Sequence, residues 1–211
     1  MKKILSILIV VTLAQAASFA QSFEGKIIYQ NTYKSKLPQV SDEQFTSMMG
    51  NTQEFFIKGG NYKSTMNGKM IEWQLYIYKD NKLYSKMSTT PNAYWNDAAF
   101  NKDEVIKAEV NKGAAEILGN TCDELVLTCK SGVQKFYYSP KFPLDAKLFE
   151  NHKFGNWSEF ISRAKAVPLK MIMDTPQFSI ESVATEVTPQ KLDDKNFQLP
   201  ADIKVEKNPY N

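Results

Sequence analysis

His152 is the only histidine of the 211-residue chain, and it stands in Glu150-Asn151-His152-Lys153 with a carboxylate two residues away. An imidazole beside a carboxylate is the minimum for general-base chemistry. The rest of such a site is missing: there is no G-x-S-x-G turn, and neither Cys122 nor Cys129 sits in a catalytic motif. His152 therefore reads as a surface-loop residue ahead of a helix, and no residue is assigned a catalytic role. Metal chemistry finds no better footing, because H-E-x-x-H, C-x-x-C and spaced Asp/Asn/Gly calcium loops are all absent. Asp193-Asp194 read as a solvated turn before Phe197, and the glycines Gly59, Gly60 and Gly113 are too isolated to cradle a phosphate. No metal site, cofactor or enzymatic activity is expected.

The two cysteines fall in one apolar run, Thr121 to Cys129, which reads as a strand. Seven residues at about 3.3 Å each hold them roughly 23 Å apart, far beyond the reach of a disulfide of about 7 Å between Cα atoms. Free thiols are favoured. An intrachain bridge would need a bend or an early strand end, and pairing between molecules is the remaining alternative.

The aromatics carry more information than the titratable groups. Thirteen Phe, ten Tyr, three Trp and eight Met concentrate in the predicted strands and helices, often where the second face of a sheet would be polar. Such residues can line a hollow for acyl chains, although ordinary core packing and cross-strand pairing is the favoured account of them. The candidate ligand-binding residues are Trp73, Leu75 and Ile77 on one predicted strand face, with Trp157, Phe160 and Ile161 on a predicted helix.

The elements that would position them are mostly strands. Gly59-Gly60, Asn67-Gly68 and Asp80-Asn81 punctuate apolar runs at short intervals, which predicts a four-strand meander. A second series follows around Gly119-Asn120 and Ser131-Gly132, and residues 168–174 and 177–187 return as strands. Ser41 with Gln44 predicts a capped helix carrying Phe45, Met48 and Met49 as far as Gly50. Asn156 with Glu159 repeats that device before Trp157, Phe160, Ile161 and Ala164, an apolar stripe that must end before Pro168. Residues 101–112 carry mixed signals and are read as a helix stopped by Gly113. The tail from Thr188 reads as loop.

The first twenty residues have the form of a cleavable export signal: Lys2 and Lys3, an apolar run from Ile4 to Ala14, and small Ser18 and Ala20 before Gln21. The run is far short of the roughly 20 residues of a membrane span, so no integral anchor is expected, and the residue after the site is not a cysteine that could carry lipid. Removing residues 1–20 leaves 24 basic against 23 acidic groups, a balance that excludes an electrostatic footprint for nucleic acid. Arg163 is the only arginine, which removes the usual two-point clamp for phosphate.

Three segments, FEGKIIYQ (23–30), EILGNTCDELVLTCKSGVQKFYYSP (116–140) and TEVTPQKLDDKNFQLPAD (185–202), resemble an uncharacterised family of exported bacterial proteins carrying a domain of unknown function. That family is similar in outline to the periplasmic lipoprotein-sorting carriers of the LolA and LolB type. The resemblance implies a strongly curved, incomplete antiparallel barrel around a few helices, often with an apolar hollow. The chain departs from the carriers in its single arginine, on a helix, so the carriers' lipid role does not come with the likeness.

Together these readings predict an α+β protein: a signal peptide over residues 1–20, then one domain over 21–211, a curved antiparallel half-barrel of about ten strands closed by one to three helices. The expected function is non-enzymatic binding of a lipid-like or other apolar ligand in the periplasm or medium. The alternative is an envelope interaction or structural protein whose concavity is filled by its own side chains. N-terminal sequencing of the exported protein should begin at Gln21, and recovery of mature protein with Met1 intact would contradict both the boundary and the localisation.

Overall fold

The computed structural model describes residues 22–209. The predicted signal peptide lies outside them. Twelve strands form one sheet: β1 (Gly25–Ser35), β2 (Thr52–Lys58), β3 (Asn61–Met66), β4 (Ile71–Ile77), β5 (Lys82–Met87), β6 (Ala93–Asp97), β7 (Val105–Ile117), β8 (Asn120–Cys129), β9 (Gly132–Pro143), β10 (Ala166–Asp174), β11 (Phe178–Pro189) and β12 (Val205–Lys207). Their spatial order is β12-β6-β5-β4-β3-β2-β1-β11-β10-β9-β8-β7. β7 and β12 are the two ends of this open sheet. Two eight-residue helices, α1 (Asp42–Met49) and α2 (Trp157–Ala164), accompany it.

This corrects the predicted α+β class and strand number. Strand dominates, there are twelve strands and not about ten, and β12 pairs with β6 in parallel. β6, where no element was predicted, and two misread segments account for the difference. Residues 101–112 contribute no helix: Ala108 and Val110 of β7 lie opposite Leu127 and Leu125 of β8, so alternate residues serve one sheet face. Gly113, at φ 59°, sits in the irregularity between Asn111 and Ala115, where its left-handed backbone is needed for the bulge and not for stopping a helix. The tail read as loop crosses the sheet and supplies β12.

The four-strand meander β2 to β5 stands as predicted. Its β3–β4 link is longer than a two-residue turn, however, because Lys69 and Met70 donate backbone hydrogen bonds to the Ser47 and Met48 carbonyls of α1. A side chain on Gly68 would meet the backbone of Met48 to Gly50 at 2.3 to 2.5 Å, so this docking requires glycine. α1 keeps its Ser41/Gln44 capping box and buries Phe45 against Tyr33 and Phe178. The second predicted cap is not formed. Asn156 starts α2 in a left-handed conformation without capping it, and its buried side chain turns instead to Asn101, Gln134 and Cys129.

β8 runs straight through both cysteines, which are unpaired and buried. Burial pushes both thiols up, Cys129 to about 11, so they are protonated and weakly nucleophilic at neutral pH.

The main core lies on the sheet face that carries α2. Phe160 and Ile161 are fully buried there with Phe136, Leu125, Leu127, Phe149 and Leu169, and the Phe160 ring stacks on Phe136 at 4.4 Å. A second, smaller core forms on the opposite face, where the tail lays Leu192 and Phe197 over Leu75 and Tyr84. Truncating Phe160 to alanine should cost about 3 to 5 kcal/mol, read as a lower midpoint in urea melts; a loss under ~1 kcal/mol would show that α2 is not the plug of this face.

Candidate functional site

The register defines what each face presents. On the α2 face, called inner below, a cross-strand row runs Ile27, Phe55, Ser64, Gln74, Ser85 and Tyr94 from β1 to β6. The row is apolar under α2 and turns polar beyond it. Gln53 donates to Ser64 Oγ at 2.8 Å, and Gln74 donates to Ser85 Oγ at 3.2 Å. These bonds satisfy groups whose burial would otherwise be costly.

The polar end of the row opens into a cleft of about 530 Å³ over β4 to β6. It is lined by Gln74, Ser85, Tyr94 and Asn96 of the strands, by Ile71, Met87 and Thr90, and by Asn208 and Pro209 of the tail. The tail is held there by parallel pairing of β12 with β6, by Asn208 N–H donating to the Trp95 carbonyl, and by Asn208 Nδ2 donating to Asn96 Oδ1 at 2.9 Å. Among the described residues that line it, none carries a carboxylate, lysine, arginine or histidine side chain. The cleft thus offers amides, hydroxyls and apolar surface, and suits an uncharged or amphipathic group.

The centre of the inner face is filled. Against the surface position expected for it, His152 is 1% exposed. Its ring stacks on Tyr76 with centroids 4.0 Å apart and lies near-parallel to Tyr62 at 5.6 Å, while Nε2 shares a 2.7 Å hydrogen bond with Tyr62 Oη. Trp157 covers the cluster, its ring centre 5.7 Å from that of Tyr62 and 6.3 Å from that of His152. Desolvation lowers the imidazole pKa from its ordinary 6.5 to about 3 and raises those of both tyrosines, Tyr76 to about 12. His152 is therefore a neutral packing residue committed to Tyr62. The thiols have polar partners of their own: Cys129 receives Asn156 Nδ2, and Cys122 donates to the Asn120 carbonyl. Among the described residues, no three His, Cys, Asp or Glu side chains converge on a metal position. Asp193 caps the single helical turn Asp194–Phe197, and Asp194 pairs with Lys58 at 2.8 Å.

The sequence-predicted ligand residues are not brought to one place. Trp157, Phe160 and Ile161 belong to the inner core, whereas Trp73, Leu75 and Ile77 point to the outer face and pack with Tyr84, Trp95, Leu192 and Phe197. The cleft residues were missed because Gln74, Ser85, Tyr94 and Asn96 are ordinary strand residues taken singly. The signal available was the alternation Tyr94-Trp95-Asn96, with Gln74 inside Trp73-Gln74-Leu75, which marks one face of these strands as more polar than the other.

No family model and no curated protein matches the chain. Among solved structures, it is similar to PNGF-II, with 15% identity over 89% of this chain and a TM-score of 0.48. It spans about a third of that protein's length, 32%. It is also similar to a LolA superfamily protein from Nitrosomonas europaea, with 11% identity over 86% of this chain and 92% of the other, at a TM-score of 0.38. Likenesses this remote transfer neither ligand nor activity. Among the described residues, no helix is long and apolar enough to cross a membrane.

A buried neutral histidine couples stability to acid. Its folded pKa lies below the unfolded value, so its contribution is complete above about pH 6.5 and drains away as pH falls toward 3, at up to about 1.4 kcal/mol per pH unit. Urea unfolding at pH 7 and 4.5 should show this extra acid sensitivity in the wild type and not in His152→Phe. Equal pH slopes for the two proteins would place the histidine in contact with water.

Proposed function

We propose that this is an exported, non-enzymatic binding protein that takes one small amphipathic, lipid-like ligand in the cleft over β4 to β6. The cleft itself carries the reading: it is large enough for an acyl segment or a similar apolar group, which would lie against Ile71, Met87, the Tyr94 ring and Pro209. Gln74, Ser85 and Asn96 would hydrogen-bond an uncharged polar part of the ligand. The neutral lining among the described residues argues against a free phosphate or carboxylate as the main recognition element, since neither would find a cation among them. The leader-like first twenty residues support export, and the commitment of the buried imidazole to Tyr62, with both thiols held protonated by burial, supports a non-catalytic role.

A second reading has one specific observation in its favour. The centre of the inner face is occupied by Phe149, Trp157, Phe160 and Ile161, as a structural or interaction protein with a self-filled concavity would require. Ligand binding at the end of the sheet separates the two. Titration with a fluorescent monoacylglycerol, whose headgroup is uncharged, should saturate on the wild type, weaken about tenfold or more in Met87→Lys and Tyr94→Ala, and persist in Trp73→Ala on the outer face. Absence of saturable binding to the wild type, or equal binding by all four proteins, would favour the self-filled reading.

A further inference from the structure

β7 is the last strand of the sheet order, bonded to β8 along one edge only. Its other edge is thirteen residues of main chain without a strand partner among the described residues. Such edges are the usual sites of unwanted strand addition, and proteins blunt them with lysines and bulges. β7 has both, with Lys107 and Lys112 and register offsets at Ile106 and after Asn111. Yet the apolar surface of the molecule gathers here. Of the five exposed large hydrophobics among the described residues, Ile106 (66%) and Val110 (43%) lie on β7 and Leu118 directly follows it.

The order of side chains along the strand says what could cover them. Within the regular ladder between the two offsets, antiparallel pairing of β7 with itself about a two-fold axis at Ala108 places Lys107 opposite Glu109 on both sides of the axis. Both charges of this central ladder then meet their opposites, and exposed Ile106 and Val110 flank them. Moving the axis one residue either way sets Lys107 against Lys107 or Glu109 against Glu109, which cross-strand pairing penalises. The charge pattern that repels a foreign strand in most registers is self-complementary in this one. In the monomer Lys107 and Glu109 already satisfy each other at 2.9 Å along the strand, so exchanging partners across the axis strands no charge.

We infer that two copies of this chain associate through their β7 edges, in antiparallel register about Ala108, to continue the sheet across the pair. The interface is isologous, as a closed dimer requires. It is also short, because the offset at Ile106 confines the regular ladder to the strand centre, and this sets a reversible dimer rather than an obligate one. It lies at the opposite end of the sheet order from β12 and β6, so ligand entry to the cleft stays open and the two sites fail or succeed independently.

Ala108→Cys tests the register directly. On the axis the two Cα atoms stand about 4.5 to 5.5 Å apart, within disulfide reach, and both native thiols are buried. Oxidation should convert Ala108→Cys to a covalent dimer much faster than Ala114→Cys on the same strand. In sedimentation velocity the wild type should shift from monomer to dimer with rising concentration. Lys107→Glu should raise the dissociation constant about tenfold or more, and the charge exchange Lys107→Glu with Glu109→Lys should restore it. A wild type that stays monomeric at every concentration overturns the inference. So does a dimer in which positions 108 and 114 cross-link at equal rates, since the copies would then meet elsewhere.

Discussion

The hydrogen bond between Tyr62 Oη and His152 Nε2 fixes the middle of this structure, because it lets a polar ring stand where only an apolar one would otherwise be tolerated. The imidazole must be neutral to lie between Tyr76 and the helix-borne Trp157, and burial keeps it so. Around it the inner face needs no long helix. Eight residues of α2 and the single turn Ala146–Phe149 suffice, since Phe149, Trp157 and Phe160 reach across the sheet where an aliphatic plug would leave gaps.

Covering both faces of a sheet usually takes a second layer of strands or helices. Here the chain covers the outer face with its own tail. Leu192, Phe197 and Leu199 lie over Leu75, Tyr84 and Trp95, and the tail then adds β12, the one strand among the described residues that pairs in parallel. This explains the two-sided apolarity of β4: Trp73, Leu75 and Ile77 serve the outer cluster, while Tyr76 serves the inner one. Gln74, on the same face as Tyr76 but past the end of α2, is left to the cleft.

Local signals were legible wherever one element decided its own structure. The meander, the Ser41/Gln44 cap, the apolar stripe of α2 and the extended run that keeps Cys122 from Cys129 all follow from nearest neighbours and periodicity. What could not be read was set at a distance. Residues 105–117 are a strand because Leu125 and Leu127 of β8 offer a face to Val110 and Ala108. His152 is buried because Tyr62 and Tyr76, some ninety residues earlier in the case of Tyr62, converge on it. The cleft was invisible for the same reason: Asn96 and Asn208 meet across 112 residues of sequence.

The central position of β1 bears on how the chain acquires this structure. β1 is the first strand, yet it is hydrogen-bonded on one side to β2 and on the other to β11, with Gly25 facing Pro189 and Ser35 facing Phe178. Between those two contacts lies nearly the whole chain, and loop closure of that span must precede the reward of pairing. The meander can assemble early and locally, whereas its union with β7 to β11 awaits almost complete synthesis. Until then β1 is a bare edge. A chain built this way stays unlocked during its emergence, with its slowest step last, and any truncation before Phe178 leaves two half-sheets with no seam to join them.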